Sequence, residues 1–299
     1  CEVWDLDGNH YYDFTSNGIG ACLLGFAYEP VVEAVTRKIQ SGSMCSQNPV
    51  EEVLLAEKLC QIHPWADQVR FARGGGEITS VAVRIARATT GRDLVLICGY
   101  HGWSDWYLAA NLSNATGLDD LLLPGLKPAG VPKALTGTTL TCVYEDYETF
   151  DKIIAEYGDR LACVIMEPYR HVLPDGKFLR HVRQAMNKCG GLLIFDEITI
   201  GFRLCYGGAH KLVDVQPDIA TFAKALGMEP SIQWSGEDDA NGGRNRLIQH
   251  RFFSENEPAN GAEKQRADCQ NAGCFLLVNV KQCNFSAVRK MYDFLLRLK

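Results

Sequence analysis

Leu192-Leu193-Ile194-Phe195 is an unbroken apolar run that stops abruptly on two carboxylates, Asp196 and Glu197. A second short apolar run, Ile219 to Ala223, stops on a single amine, Lys224. A strand that is apolar at successive positions, rather than at alternate ones, has both faces covered, which places it inside a mostly parallel sheet flanked by helices. In such sheets ligands sit beyond the carboxyl ends of the strands. The two runs therefore predict an α/β architecture that delivers an acid and an amine to one ligand-binding edge.

The alternation of apolar run and helical period recurs along the chain. Val69 to Ala72 leads through Gly74-Gly75-Gly76-Glu77 into a helix whose buried stripe is Ile78, Val81, Ala82, Ile85 and Ala86 and whose left-handed cap is Gly91. A strand at Leu94 to Cys98 runs into Gly99-Tyr100-His101-Gly102-Trp103. From Thr141 come a strand to Tyr144, a helix bearing Phe150, Ile153, Ile154 and Tyr157, and a strand from Leu161 to Met166 that ends on Glu167-Pro168. A helix with Phe178, Leu179, Val182 and Met186 then precedes the opening run. Repeated units of this kind place Glu167, Asp196 and Lys224 at strand ends on one edge.

Ahead of these units, Val3 to Phe14 alternates about Asp7-Gly8, which predicts a two-stranded ribbon. Pro30, Val32, Val35 and Ile39 open a helix, and a second follows around Glu51 to Ile62. Residues 111–139, rich in Gly, Pro and Leu, read as a long loop over a site or a subunit contact. Beyond Lys224 the pattern breaks. Residues 228–269 are polar and aperiodic apart from a short candidate at Arg251 to Ser254, and a strand-like Phe275 to Val280 and a helix with Val288, Met291, Tyr292, Leu295 and Leu296 close the chain.

The chain has 299 residues, 46% of them hydrophobic and 22% charged, which excludes disordered and collagen-like classes and allows one large core. A formal net charge of -6 without a basic cluster gives no footprint for nucleic acid. Twelve cysteines without a CxxC pair, and seven histidines without HExxH, give no zinc spacing and read as free thiols. No apolar run approaches the ~20 residues that span a bilayer, so a cytoplasmic compartment is expected, or an organellar one should a presequence be missing.

Individually these residues are ambiguous. Three glycines between a strand and a helix expose backbone N–H groups suited to a phosphate, and a tight turn that binds nothing has the same sequence. The aromatics after Cys98 suit core filling as well as ring stacking. Together, a lysine amine for a Schiff base, an aspartate for a pyridinium nitrogen, a stacking aromatic and a glycine cradle are the parts needed to hold pyridoxal phosphate.

At this point the chain resembles the class III aminotransferases of pyridoxal-phosphate fold type I, and within them the glutamate-1-semialdehyde 2,1-aminomutase-like branch. The matching stretches are VWDLDGNHYYDF, LLGFAYEPVVEAV, VRFARGGGEITSVAVRIARATTGRD, GYHGWSDWY, VIMEP, LLIFDEITIGFR with GGA, and PDIATFAKALG. The resemblance covers about residues 2 to 227 and implies an aspartate-aminotransferase-like large domain with a mostly parallel mixed sheet, plus an incomplete small domain. Lys224 matches the lysine that holds the cofactor as a Schiff base and later shuttles a proton. Asp196 matches the partner of the ring nitrogen, Tyr100 the stacking aromatic with His101 completing its turn, and Ile198 the packing on the opposite face. Thr199 falls near the 3′-oxygen and Glu167 is the acid near Asp196 and the substrate. Gly75, Gly76 and Glu77 fall in the phosphate loop, and Arg203 is the local candidate for a substrate carboxylate. A homodimer with the site at its interface, acting on a small-molecule amino donor and acceptor, is the partner expectation.

The resemblance also predicts boundaries. Residues 1–40 are expected to form a hairpin and helix of small-domain type, 41–227 the cofactor-binding large domain, and 228–299 a divergent segment. Gly76 stands where the family has a Ser or Thr, and Ile200 where it has Thr. Gly227-Met228-Glu229-Pro230 replaces a glycine-rich run, Phe252-Phe253-Ser254 faintly echoes a phosphate-contacting segment, and the chain reads as truncated at both ends. The expected activity is pyridoxal-phosphate-dependent amino-group transfer, as transaminase or aminomutase. The alternatives are a fold-type-I remnant with weak cofactor binding and no turnover, and a nucleotide-binding module using Gly74 to Gly76.

Overall fold

The computed structural model describes residues 2–15, 20–25, 27–42, 46–113, 117–121, 123–169, 175–226 and 274–278. The calls at Arg251 to Ser254 and on the final helix lie outside the described residues. A seven-stranded sheet organises the molecule, built from β3 (Gln68–Ala72), β4 (Leu94–Cys98), β5 (Thr139–Thr141), β6 (Leu161–Met166), β7 (Leu192–Asp196), β8 (Ile219–Phe222) and β9 (Cys274–Val278) in the order β3-β9-β8-β7-β6-β4-β5. Strands β5, β4, β6, β7 and β8 run parallel, and β9 is antiparallel to both β3 and β8, so β3 points the same way as the parallel set. The expected mostly parallel mixed sheet is present. The ribbon about Asp7-Gly8 is β1 (Glu2–Trp4) paired antiparallel with β2 (His10–Tyr12), turned at Gly8 with φ +84.

Helices cover both faces of the sheet. Every residue of β6 and β7 is buried, because side chains of alternate parity enter two different cores. Leu193, Phe195 and Val164 pack with Leu55 and Leu59 of α2 (Val50–Ile62), Phe150 of α4 (Tyr147–Tyr157) and Phe178, Leu179, Val182 and Met186 of α5 (Lys177–Cys189). Leu192, Ile194, Cys163 and Ile165 pack instead with Ile78, Ala82, Ile85 and Ala86 of α3 (Gly75–Thr90). Each of the Leu, Ile, Val, Phe and Met side chains contributes roughly 1.5–3 kcal/mol on leaving water. α1 (Glu29–Ser41) buries only Ala34 among the described residues. Both faces being apolar is what made the strands legible as continuous runs.

Two features differ from the sequence reading. Gly75 and Gly76 are the first residues of α3, with Gly74 as its N-cap, so the glycine stretch is mostly helix start rather than loop. The stretch read as one long loop contains single helical turns at Ala110–Ser113 and Lys133–Leu135, too short to leave a periodic signal, and enters β5 at Thr139.

Register between β7 and β8 is set before the strands reach the site. Asp218, buried at the head of β8, accepts from Leu193 N at 2.7 Å and from Arg183 at 2.8 Å, and its own N–H donates to Leu193 O. This fixes the pairs Ile194 with Ile219, Phe195 with Ala220 and Asp196 with Thr221.

Beside β8, His63 is fully buried between two carbonyls, with Nδ1 3.0 Å from Leu59 O and Nε2 against Gly207 O. Burial pushes its pKa from 6.5 down to about 4, the two carbonyl contacts opposing that shift and the neighbouring His210 reinforcing it. The ring is neutral at pH 7 and donates to one carbonyl only. Because the folded value lies below the unfolded one, the unfolded state takes up the extra proton as pH falls from 6.5 towards 4, and stability drops across that window. The loss attributable to His63 is roughly 3 kcal/mol. Urea unfolding at pH 7 and at pH 4.5 measures it, and His63→Gln is expected to flatten the difference; an equal acid sensitivity in the variant contradicts the assignment.

Candidate active site

Five strands end on the same edge, and each contributes at or just beyond its last residue. β3 leads to Gly75 and Gly76, β4 to Tyr100 and His101, β6 to Glu167, β7 to Asp196 and β8 to Lys224. β6, β7 and β8 are neighbours, so Glu167, Asp196 and Lys224 come from three adjacent strands.

Asp196 is 3% exposed and fully hydrogen-bonded. Its Oδ2 lies 2.7 Å from His101 Nδ1, and its Oδ1 accepts from Thr221 Oγ1 at 3.1 Å and from Ile198 N at 3.1 Å. A carboxylate only accepts, so the His101 proton is on Nδ1. Nε2 of that ring is buried and has no hydrogen-bond partner among the described residues. His101 was expected among the cofactor-binding residues, completing the turn after Tyr100; the fold sets it directly against Asp196. No local signal joins residues so far apart in sequence, because the contact exists only once β4 and β7 share a sheet.

The turn that holds His101 is pressed against the glycine stretch. Gly102 has φ +93, and a Cβ there would stand 3.0 Å from Gly76 Cα. Thr79 Oγ1 reaches the carbonyls of Gly75, Gly76 and His101, and Ser80 Oγ donates to Gly76 O at 2.6 Å while accepting from Trp106 Nε1 at 3.0 Å. Ser104 Oγ stands 3.4 Å from the place a Gly76 Cβ would occupy. The N–H groups of Gly75, Gly76 and Glu77 open a 16-residue helix and have no intrahelical acceptor. The Glu77 side chain turns back to accept from Arg73 N at 3.0 Å, as an acid at this position of a helix start does. Gly102→Ala is expected to destabilise the fold by roughly 1–3 kcal/mol through the positive φ and the backbone contact, measurable as a lower thermal midpoint; an unchanged midpoint contradicts the close approach.

Glu167 is 5% exposed and accepts from Tyr100 N at 3.4 Å. A Cβ on Gly99 would fall 2.8 Å from Glu167 Oε2 and 3.3 Å from His101 Cε1, so only glycine fits between the acid and the histidine. Tyr100 packs edge-on to Tyr107 at 5.8 Å, and burial pushes its phenol pKa up. Ile198 comes close to Gly75, whose Cβ would lie 3.3 Å from Ile198 Cδ1. Lys224 has φ +47, which costs a non-glycine residue about 1–2 kcal/mol, and its Nζ donates to Thr199 Oγ1 at 3.0 Å. Glu197, unlike Asp196, points away from this edge. It is fully buried and accepts from Ala209 N, His210 N and His210 Nδ1, which ties the strand end to the turn at 207–210.

The structure thus brings together the sequence-predicted residues Gly75, Tyr100, His101, Glu167, Asp196, Ile198, Thr199 and Lys224 at one edge. Arg203 donates to the carbonyls of Thr199 and Gly20. No group of side chains that could hold a metal occurs among the described residues, and no helix among them is long and apolar enough to cross a membrane.

The family model Aminotransferase class-III matches residues 1–231, which carry all of these strand ends. This chain belongs to the class-III aminotransferase family. The match ends close to where the sequence pattern breaks. Within the family, the glutamate-1-semialdehyde 2,1-aminomutase of Sulfurihydrogenibium sp. (strain YO3AOP1) is 35% identical over 233 residues, which are 76% of this chain and 53% of that protein. An omega-transaminase from Sphaerobacter thermophilus superposes with TM-score 0.65 at 30% identity, over 76% of this chain and 53% of its own. A solved transaminase with PLP bound superposes with TM-score 0.66 at 28% identity, over 76% and 53% of the two chains. The chain spans about half the length of the curated relatives it matches.

Proposed function

We propose that this class-III family member binds pyridoxal 5′-phosphate at the β3–β8 edge, holds it as a Schiff base on Lys224, and transfers an amino group between a small amino acid or amino-aldehyde and the cofactor. The observation that carries the reading is the pairing of a buried, fully hydrogen-bonded Asp196 with Lys224 at adjacent strand ends. The residues present fit the cofactor. The α3 N-terminus offers backbone N–H groups on a surface with no side chain at Gly75 or Gly76, and an orphaned imidazole nitrogen of His101 lies buried behind Asp196.

When bound, the cofactor supplies an electron sink for the carbanion at the substrate Cα. Asp196 would meet the ring nitrogen, and His101 Nδ1–H fixes which carboxylate lone pairs remain for it. Tyr100 and Ile198 would take the two ring faces, Thr199 the 3′-oxygen, and Gly75, Gly76 and the Glu77 N–H the phosphate. Lys224 would hold the cofactor by its aldehyde group, and its amine would hold or move the proton at the substrate Cα. Glu167, held by the turn at Gly99 to His101, keeps a carboxyl next to Asp196 and the substrate. The same reading assigns residues 1–40 to a small-domain unit, 41–227 to the large domain, and the site to a homodimer interface.

Adding pyridoxal 5′-phosphate to the purified protein tests this. A visible absorbance band, and a borohydride-stable mass increment mapped to Lys224, are the expected result. Protein that stays colourless is the remnant without turnover, and dinucleotide binding at Gly74 to Gly76 would point to the nucleotide module instead.

A further inference from the structure

Lys224 Nζ lies 3.0 Å from Thr199 Oγ1, across the gap between the ends of β7 and β8. The hydroxyl is exposed, yet its place is fixed from two sides. On the inner side Gly201 donates to Glu197 O at 2.7 Å, and a Cβ on Gly201 would stand 2.6 Å from the Phe222 ring, so the turn from Glu197 to Gly201 is clamped against the end of β8. On the outer side Arg203 donates from Nε to Thr199 O and from its terminal nitrogen to Gly20 O. The left-handed backbone of Lys224 re-aims its side chain at that point.

We propose that Thr199 is a positioning residue for the Lys224 amine, in addition to any contact with the cofactor's ring oxygen, and that Arg203 is the residue that holds Thr199 in register. This rests on Lys224 being the reactive amine of the proposed function. A lysine side chain carries about 2 kcal/mol of rotamer freedom, and a fixed acceptor removes much of it before reaction, so the nitrogen is presented in one place. A hydroxyl suits a nitrogen that must change protonation state. Its oxygen accepts from the ammonium and its O–H can turn to donate to the neutral amine, whereas a carboxylate here would hold the lysine charged and unreactive. Arg203 makes the arrangement rigid while spending its donors on backbone carbonyls.

The test follows the rate of covalent capture of pyridoxal 5′-phosphate by visible absorbance at saturating aldehyde, in wild type, Thr199→Val, Thr199→Ser and Arg203→Met. Non-covalent affinity is measured separately in a Lys224→Ala background. At saturating aldehyde Thr199→Val is expected to slow capture about tenfold, the factor that one lost hydrogen bond supplies, separately from whatever the lost ring-oxygen contact takes from the non-covalent affinity. Thr199→Ser restores the rate, and the double variant Thr199→Val with Arg203→Met is no slower than Thr199→Val alone, because both act through one contact. Unchanged capture with weakened affinity overturns the proposal and leaves Thr199 as a cofactor contact; additive effects overturn the role of Arg203. Reductive methylation by formaldehyde, mapped at Lys224, reads the same amine without the cofactor, so that a failure of cofactor binding is separable.

Discussion

Lys224→Ala is expected to leave a folded protein in which pyridoxal 5′-phosphate raises no band characteristic of covalent capture and amino transfer is lost. On the proposed function, alanine removes both tasks of the amine. Without the nitrogen there is no covalent hold on the aldehyde, and without a base at that place proton transfer at the substrate Cα loses the roughly 10²–10⁴-fold that a positioned group provides. The fold should tolerate the change, because Lys224 is only partly buried and Thr199, whose hydroxyl accepts from its amine, is exposed and can turn to water. The decisive measurement is borohydride reduction followed by peptide mass mapping. A wild-type label on another lysine, or a label that survives in the variant, would remove Lys224 from the mechanism.

Asp196→Asn separates charge from structure. The residue stays the size of the buried aspartate and its oxygen can still accept from His101 Nδ1, but its NH2 then faces Ile198 N–H, so the one stranded donor is expected to cost about 1–3 kcal/mol, less than Asp196→Ala. What disappears is the anion that a protonated ring nitrogen needs. Leaving that cation unpaired in a buried site costs on the order of 3–5 kcal/mol, or roughly 10²–10⁴-fold in turnover, while on the proposed function Lys224 still captures the aldehyde. Asp196→Ala also strands three donors, from His101, Thr221 and Ile198. At about 1–3 kcal/mol for each buried donor left unpaired, that variant should be strongly destabilised as well as inactive. Turnover of Asp196→Asn within a few-fold of wild type would mean that another group partners the ring.

The two variants probe different levels of the molecule. Lys224 is a chemical group on a turn, and its loss is read in chemistry alone. Asp196 is at once a chemical group and the hub of a buried polar network, so how its replacement affects stability depends on whether the new side chain can still accept hydrogen bonds.

Much of the frame was legible in the sequence. β6 and β7 announce themselves because a strand covered on both faces is apolar throughout, and α3 and α5 because one side of each faces a core. Gly91 and Gly190 end their helices in the left-handed conformation that glycine adopts without strain. The strand ends at Glu167, Asp196 and Lys224 followed from the same periods. The glycine stretch carries no helical signal because glycine has little helix propensity, and helix start is set there by Glu77 accepting from Arg73 N and by Thr79 bridging to His101 O.

By itself, then, the order of apolar runs and charged strand ends determined an α/β sheet with an acid and an amine on one edge, because burial on two faces and the βα period are local properties of the chain. Which groups touch was decided only by tertiary structure. His101 meets Asp196, Gly102 lies on Gly76, and Lys224 finds Thr199 because β4, β7 and β8 are set in register by contacts such as Asp218 with Leu193. Such contacts join residues distant in sequence, and a hydrogen bond depends on tenths of an ångström that no periodicity encodes.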